Sequence, residues 1–400
     1  MTINGKSLRG TVYPDCFGKA IFLMKKYILS VLISLAAFTA QAQLNNNYLY
    51  NRIRPADSLA NELHLNFYNF NYVRNYEYSN KFHDGYTLYG TQLEPQLVYY
   101  AHPNLAITAG AYLRKDFGNE RGLFDAKPLF NVKYSKNDLT LVFGSLEGNI
   151  QHHYIEPLYN FEGKIDRPIE YGTQLLIDKD KFNLDAWIAW QKMIYPGDAA
   201  KEQIVGGFTA DIAVIKNEDW KLTIPAQSLF YHAGGQIDVL KEIPITTLFN
   251  GATGFTLSKN IGYHVRQVYT QNYVAAYKDF SPTKVRAYQG GFGLWLNAGI
   301  DTRWGNLVAS YWKGNKFITI KGMPLYQSVS ATMNDAGYTQ NHRNILMLRY
   351  IYQKELLPNL YLDVRFEPHF DLDRSEKQLQ FNHSFFLTYK ESFRLFKVKK

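Results

Sequence analysis

Cysteine is all but missing from this chain: Cys16 is the only one in 400 residues. Downstream of it no disulfide, thiolate metal ligand or lipid-bearing cysteine can form, which excludes a disulfide-stapled secreted domain and a lipoprotein. Long apolar runs are scarce as well, and Tyr27 to Phe38 falls short of the roughly 20 residues that a membrane-spanning helix requires. Heptads, Gly/Ser-rich or Pro-rich linkers and repeats of fixed period are absent, so nothing divides the chain and one domain is expected. Charge of one sign is also weak. Of the formal +9, Lys6, Arg9, Lys19, Lys25 and Lys26 against Asp15 supply 5 − 1 = +4, leaving 9 − 4 = +5 spread over the rest of the chain. That is too mild and too dispersed for a nucleic-acid partner.

What is present begins with residues 24–42, where Lys25 and Lys26 precede an apolar stretch that ends in Ala40-Gln41-Ala42. A basic start, an apolar core and a small-residue end form a secretory signal peptide. Residues 1–23 ahead of it read as an upstream extension from a misplaced start codon, and cleavage after Ala42 leaves 400 − 42 = 358 residues.

Aromatic residues make up 16% of the chain against 20% charged, while the apolar total of 46% is ordinary. Excess aromatics without excess aliphatics suit a transmembrane β-barrel, which keeps a polar lumen and rings its two membrane interfaces with Tyr, Phe and Trp. After a periplasmic lead-in over 43–62, the polarity pattern predicts sixteen strands between 63 and 389: 63–73, 90–100, 105–114, 126–134, 139–147, 171–178, 182–191, 204–216, 220–231, 246–257, 261–270, 286–302, 307–314, 343–353, 359–369 and 378–389. Residues 390–400 then form a periplasmic tail or a further strand, which would make eighteen the alternative count. Short turns such as His102-Pro103-Asn104, Lys179-Asp180-Lys181 and Ser258-Lys259-Asn260 alternate with long connections. Turns at one end and loops at the other are the pattern of a barrel with both termini in the periplasm. Within strands, Leu105, Ile107, Ala109, Ala111 and Leu113 face lipid while Thr108, Tyr112 and Arg114 face inward, and Leu360, Leu362, Val364 and Phe366 alternate with Asp363, Arg365 and Glu367. Charges confined to one face imply a wet interior. Hydrocarbon leaves no partner for edge N–H and C=O groups, so the sheet must close, and sixteen strands are wide enough for an aqueous lumen.

With its signal at residues 24–42, its turn–loop alternation and the aromatic-ended last strand Phe385-Phe386-Leu387-Thr388-Tyr389, the chain resembles the sixteen-stranded general porins of Gram-negative outer membranes. It departs from them at its end, where Lys390 to Lys400 follow the aromatic. The resemblance implies that the loop from Gly148 to Glu170 folds into the barrel. Glu156, Glu162 and Asp166 would then narrow the pore opposite inward-pointing bases, for which Lys133, Lys221, Arg266, Arg349 and Arg365 are the candidates by strand parity. Opposed charges across a lumen filter solutes by size and charge.

Other constellations are weaker. His152-His153 with Glu156 has metal-ligand chemistry, but adjacent histidines on extended backbone diverge and no cofactor is called for. His383-Ser384 cannot pair for the same reason, and His232, His264 and His342 have no nucleophile that sequence places beside them. Trp190, Trp220, Trp295, Trp304, Tyr311 and Trp312 suit an interface girdle, with Trp187 inward and open to a saccharide path. Gly290-Gly291-Phe292-Gly293 precedes no helix and does not read as a phosphate loop.

The sequence therefore predicts an all-β outer-membrane barrel that passes small hydrophilic solutes passively, is not an enzyme and has no catalytic residues. Its expected partners are outer-membrane lipid and lipopolysaccharide, the barrel-assembly machinery, small solutes or saccharides, and two further copies in a homotrimer. A surface-polysaccharide binder or exporter, using the loop from Lys313 to Arg343, is the alternative, and an enzyme at the rim is the third reading.

Overall fold

In a computed structural model, residues 46–120, 122–374 and 378–398 are described, and the calls on residues 1–23 and 24–42 lie outside them. The period-2 alternation produces sixteen strands: β1 (Glu62–Glu77), β2 (Thr87–His102), β3 (Leu105–Asp116), β4 (Asp125–Lys136), β5 (Leu139–Ser145), β6 (Tyr171–Lys179), β7 (Phe182–Lys192), β8 (Gln203–Lys216), β9 (Trp220–Ala233), β10 (Thr246–Asn260), β11 (Val265–Asp279), β12 (Gly290–Thr302), β13 (Gly305–Asn315), β14 (His342–Leu357), β15 (Leu360–Asp371) and β16 (Gln380–Lys397). Each pairs antiparallel with its neighbours, and β1 pairs with β16, so the barrel has no free edge for lipid to face. The protein is an outer-membrane barrel.

Parity is as the alternation predicts. Thr108 and Tyr112 of β3 are fully buried in the interior, while Ala109 between them is exposed to lipid. At the turn end, Asn137 (φ 53°) and Asn359 (φ 65°) occupy the left-handed region, which asparagine tolerates in tight reversals. The long connections lie at the other, outward end.

The last strand differs from its expected boundary. β16 does not stop at Tyr389 but continues to Lys397, which is paired with Glu62 of β1, and the Lys397 and Arg394 side chains lie 3.2 Å and 3.6 Å from the Glu62 carboxylate. Residues 390–397 extend the sixteenth strand. They form neither a loose tail nor a seventeenth strand.

The lumen also differs from an open aqueous tube. Residues 46–61, expected to be a periplasmic lead-in, thread into the turn end of the barrel. Asn46 accepts a bond from Arg365 (2.8 Å), Tyr48 packs on Tyr361, and the Leu49 carbonyl accepts from Tyr68 Oη (2.9 Å). From the loop end, 146–170 and 316–341 fold inward. Trp295, Trp312, Phe317, Leu325 and Tyr326 form one buried cluster, and Leu49, Phe70, Phe161 and Phe386 another. Fully burying a large apolar side chain contributes roughly 1.5–3 kcal/mol, so two infolded loops rich in such residues stay in the lumen. Trp295 and Trp312, expected at an interface girdle, are core residues of this filling, whereas Trp190 and Trp304 are exposed.

Candidate functional site

The two infolded loops are joined to each other by backbone. Asn160 donates its N–H to Lys321 O (2.7 Å) and Met323 to Glu156 O (3.1 Å), and Tyr159 and Lys321 form a parallel bridge. Phe161 anchors the first loop to the wall, stacked on Phe386 at 5.4 Å with the Arg74 and Arg365 guanidinium groups over its ring at 5.0 and 4.5 Å. The loop 78–86 completes the outer mouth. Its Asn80 side chain accepts from the N–H groups of Phe82 and His83 and fixes the tight bend there.

Between these three loops lies an outward-facing cleft of about 330 Å³. A one-turn helix, Gly163–Asp166, presents Asp166 at its end and Glu162 just before its start. Residues four apart on a helix are neighbours, so the two carboxyl groups share one side of the cleft. Tyr86 Oη donates to Glu162 Oε1 at 2.6 Å, and Arg167 Nε to Asp166 Oδ2 at 2.8 Å. The second oxygen of each, Glu162 Oε2 and Asp166 Oδ1, is buried without a hydrogen-bond partner among the described residues. Burial pushes the Asp166 carboxyl above the usual carboxylate range, with Arg167 only partly offsetting it, and burial likewise pushes the His83 imidazole down.

A charged network underlies the cleft. His152 is fully buried, stacked on Trp187 at 4.2 Å, with Nδ1 2.7 Å from Asp185 and Nε2 3.1 Å from Glu170. Burial alone would lower its pKa, but the Asp185 and Glu170 carboxylates outweigh it and hold the imidazole at about 9. Glu170 in turn accepts from Tyr159 Oη (2.5 Å) and Lys321 Nζ (3.1 Å), and Lys321 also donates to Gln191 at the outer end of β7 (3.3 Å). The network thereby sets Lys321 and Tyr159 in the cleft wall. Two carboxyl groups, one of them raised by burial, beside a lysine and an arginine supply general acid–base chemistry and anchorage for an anionic group.

The other predicted pore residues are dispersed. Glu156 meets Arg349, which also donates to Glu367 Oε1 (3.0 Å) and Tyr326 Oη (3.1 Å). Lys133 lies on Glu147 (2.9 Å), beside Arg54 of the threaded segment. Arg365 lies on Asp363 of its own strand (2.7 Å). Lys221 and Arg266 line a separate cavity of about 490 Å³ at the turn end. Only Glu156 and Arg349 come together as acid and base across the lumen. Sequence reasoning singled out neither Glu170 as a partner of His152 nor Lys321, Tyr86, His83 and Asp185, because strand parity says nothing about which loop residues fold back onto which strand.

The closed sixteen-stranded barrel is of the outer-membrane class, and comparison places it further. Residues 53–398 match the model of the lipid A 3'-O-deacylase-type family, and the chain belongs to that family. A deacylase-type family is a family of enzymes, so the expectation of a non-enzymatic protein is overturned. No curated protein matches the sequence. Among solved structures, the chain is similar to OprD of Pseudomonas aeruginosa (12% identity, TM-score 0.48, covering 86% of this chain and 98% of that one). It is also similar to OmpT of Vibrio cholerae (9%, 0.48, 82% and 100%) and to opdK of Pseudomonas aeruginosa (10%, 0.46, 84% and 100%).

Proposed function

We propose that this protein is an outer-membrane hydrolase that releases an ester-linked acyl chain from a lipid A-type glycolipid of the outer leaflet. The observation that carries the reading is the family match over residues 53–398, which takes in every strand and both infolded loops. The cleft suits the chemistry. Arg167, whose side chain is largely exposed beside the cleft, is a cation for the phosphate or carboxylate groups of a glycolipid head. Glu162 takes a proton from water, the resulting hydroxide adds to the ester carbonyl, the C–O bond to the sugar breaks, and Asp166 in its protonated form gives its proton to the departing alkoxide. Fatty acid and a free sugar hydroxyl are the products. The test is mass spectrometry of purified lipid A incubated with the refolded protein. Loss of one acyl chain, abolished in Glu162→Gln, supports the reading, and an unchanged lipid A spectrum with the folded wild type overturns it.

A second reading, passive passage of small hydrophilic solutes, is favoured by one arrangement. The turn-end cavity shares Asn46, His153 and Gln271 with a cavity of about 70 Å³, which shares Asn149 and Tyr159 with the outer cleft. The three spaces share lining residues from the turn end to the outer mouth, and the smallest is lined by Glu156 and Arg349. Steady single-channel steps in a planar bilayer, with ion selectivity altered by Glu156→Lys, support passage. A folded, silent barrel removes it.

A further inference from the structure

The lipid-facing surface carries a depression that the reading above leaves unused. On the outside of β4–β9, a groove of about 700 Å³ has Phe143, Phe208 and Phe230 as its walls and the small residues Ala186 and Ser228 in its floor. Register explains it. Ser228 pairs with Phe208 and Phe208 with Ala186 across β9, β8 and β7, so large and small side chains alternate around the barrel at one depth. Where a small residue stands between phenylalanines, the apolar surface sinks.

Beyond the groove's outer end the same face turns polar. Two residues beyond Phe230 on the same face of β9, His232 bonds through Nδ1 with Thr247 Oγ1 of β10 at 3.0 Å. At about 3.3 Å of rise per residue this pair lies roughly 7 Å above the Phe230–Phe249 pair. The sequence of polarity along the strands, apolar groove, then aromatic pair, then hydroxyl and imidazole, follows that of a lipid from chain to ester. The wall between groove and cleft is one strand thick. β7 gives Ile188 to the groove, and its outer end bonds the cleft residue Lys321 through Gln191.

The geometry points to the groove as the seat of an acyl chain of the glycolipid whose head occupies the cleft, the chain passing over the outer end of β7 and β8. This assignment rests on the hydrolase reading for the identity of the head. The occupant is a hydrocarbon chain rather than a second barrel because the groove is continuous with the lipid-facing band and the His232–Thr247 pair stands beyond its outer end, where an ester carbonyl would meet a donor.

Two measurements test it. Wild type, Ala186→Trp, Ser228→Phe and the distant lipid-facing control Ala309→Trp on β13 are each refolded into vesicles of phosphatidylethanolamine and lipopolysaccharide, with folding confirmed by heat-modifiable migration. A phospholipid spin-labelled near the end of its chain then reports immobilised lipid per barrel. The expected result is a loss of one immobilised chain in both groove variants and none in Ala309→Trp. Equal immobilisation in all four overturns the seat. Deacylation of lipopolysaccharide is measured on the same samples, with at least a tenfold fall in kcat/KM expected for the groove variants only. A wild type that immobilises the extra chain yet releases no fatty acid sinks the hydrolase reading and leaves the seat standing. Full deacylation by both groove variants overturns the seat as a substrate site.

Discussion

Arg349 of β14 and Glu156 of the first infolded loop, 193 residues apart in sequence, are ion-paired inside the barrel, and Tyr326 of the second infolded loop donates to the same carboxylate at 2.8 Å. One carboxylate thus ties both loops to the wall. Arg349 is almost fully buried. Removing one partner of a buried pair strands the other charge and costs about 3–5 kcal/mol, so Glu156→Ala is expected to lower the temperature at which the barrel unfolds in gel-shift assays. Because Arg349 also holds the buried Glu367, coupling is read from a double-mutant cycle: Glu156→Gln with Arg349→Met should cost less than the sum of the two single losses, and strict additivity would show that the pair is not coupled.

The network beneath the cleft predicts a pH dependence. His152 is held at about 9 against an ordinary 6.5. A group whose folded pKa is raised contributes stability that is complete below its unfolded value and is lost as pH rises through the folded one. Melting temperature should therefore fall between about pH 7 and pH 9, and His152→Gln should flatten that slope. Glu147 behaves oppositely: burial pushes it up, but Lys133 and Arg54 outweigh this and hold it at about 2. Its contribution is present above pH 4.5 and disappears only as pH falls toward 2, below the range in which His152 matters.

Asp166 and Glu162 are predicted to separate in their effect on catalysis. General acid–base groups contribute on the order of 10²- to 10⁴-fold. Glu162→Gln should lower the rate by a factor in that range, whereas Asp166→Asn should also remove the alkaline limb of the pH–rate profile, since burial raises the Asp166 carboxyl above the usual carboxylate range. Initial rates of fatty-acid release across pH 5–9 check this, with unchanged gel migration as evidence of folding. Identical losses at every pH in both variants would contradict the division of roles.

Phe161 offers a structural control away from those carboxylates. Its ring stacks on Phe386 beneath Arg74 and Arg365. Phe→Ala in a packed core costs about 3–5 kcal/mol. The expected outcome for Phe161→Ala is an infolded loop that trypsin cleaves near Lys164 or Arg167 while the strands stay protected. Complete resistance would mean that backbone pairing to Lys321 alone holds the loop.

The strands were legible because their physics is local. Alternation along Leu105 to Arg114 states which side chains face lipid, and tight-turn residues such as Asn137 and Asn359 state where the chain reverses. Boundaries drifted where alternation weakened, as at β16, whose last turn-end residues are held by pairing with β1 and by the Glu62 ion pairs. Of the candidate pore residues, Glu156 and Arg349 were legible as opposed charges, since the inward parity of Arg349 is a property of its strand. Tyr86, Lys321, His83 and the His152–Asp185 contact were not, because they depend on how three loops fold back.

What this sequence settles alone is its alternation, its even strand number and the need to close, since hydrocarbon leaves backbone groups no other partner. The filling of the lumen was decided by tertiary structure. Apolar side chains in 146–170 and 316–341 are buried only by leaving water for the barrel interior, and the gain from that burial depends on what the opposite wall presents. No window of local sequence contains that quantity, so the cleft, the buried charge network and the lipid-facing groove exist only once the sixteen strands stand side by side.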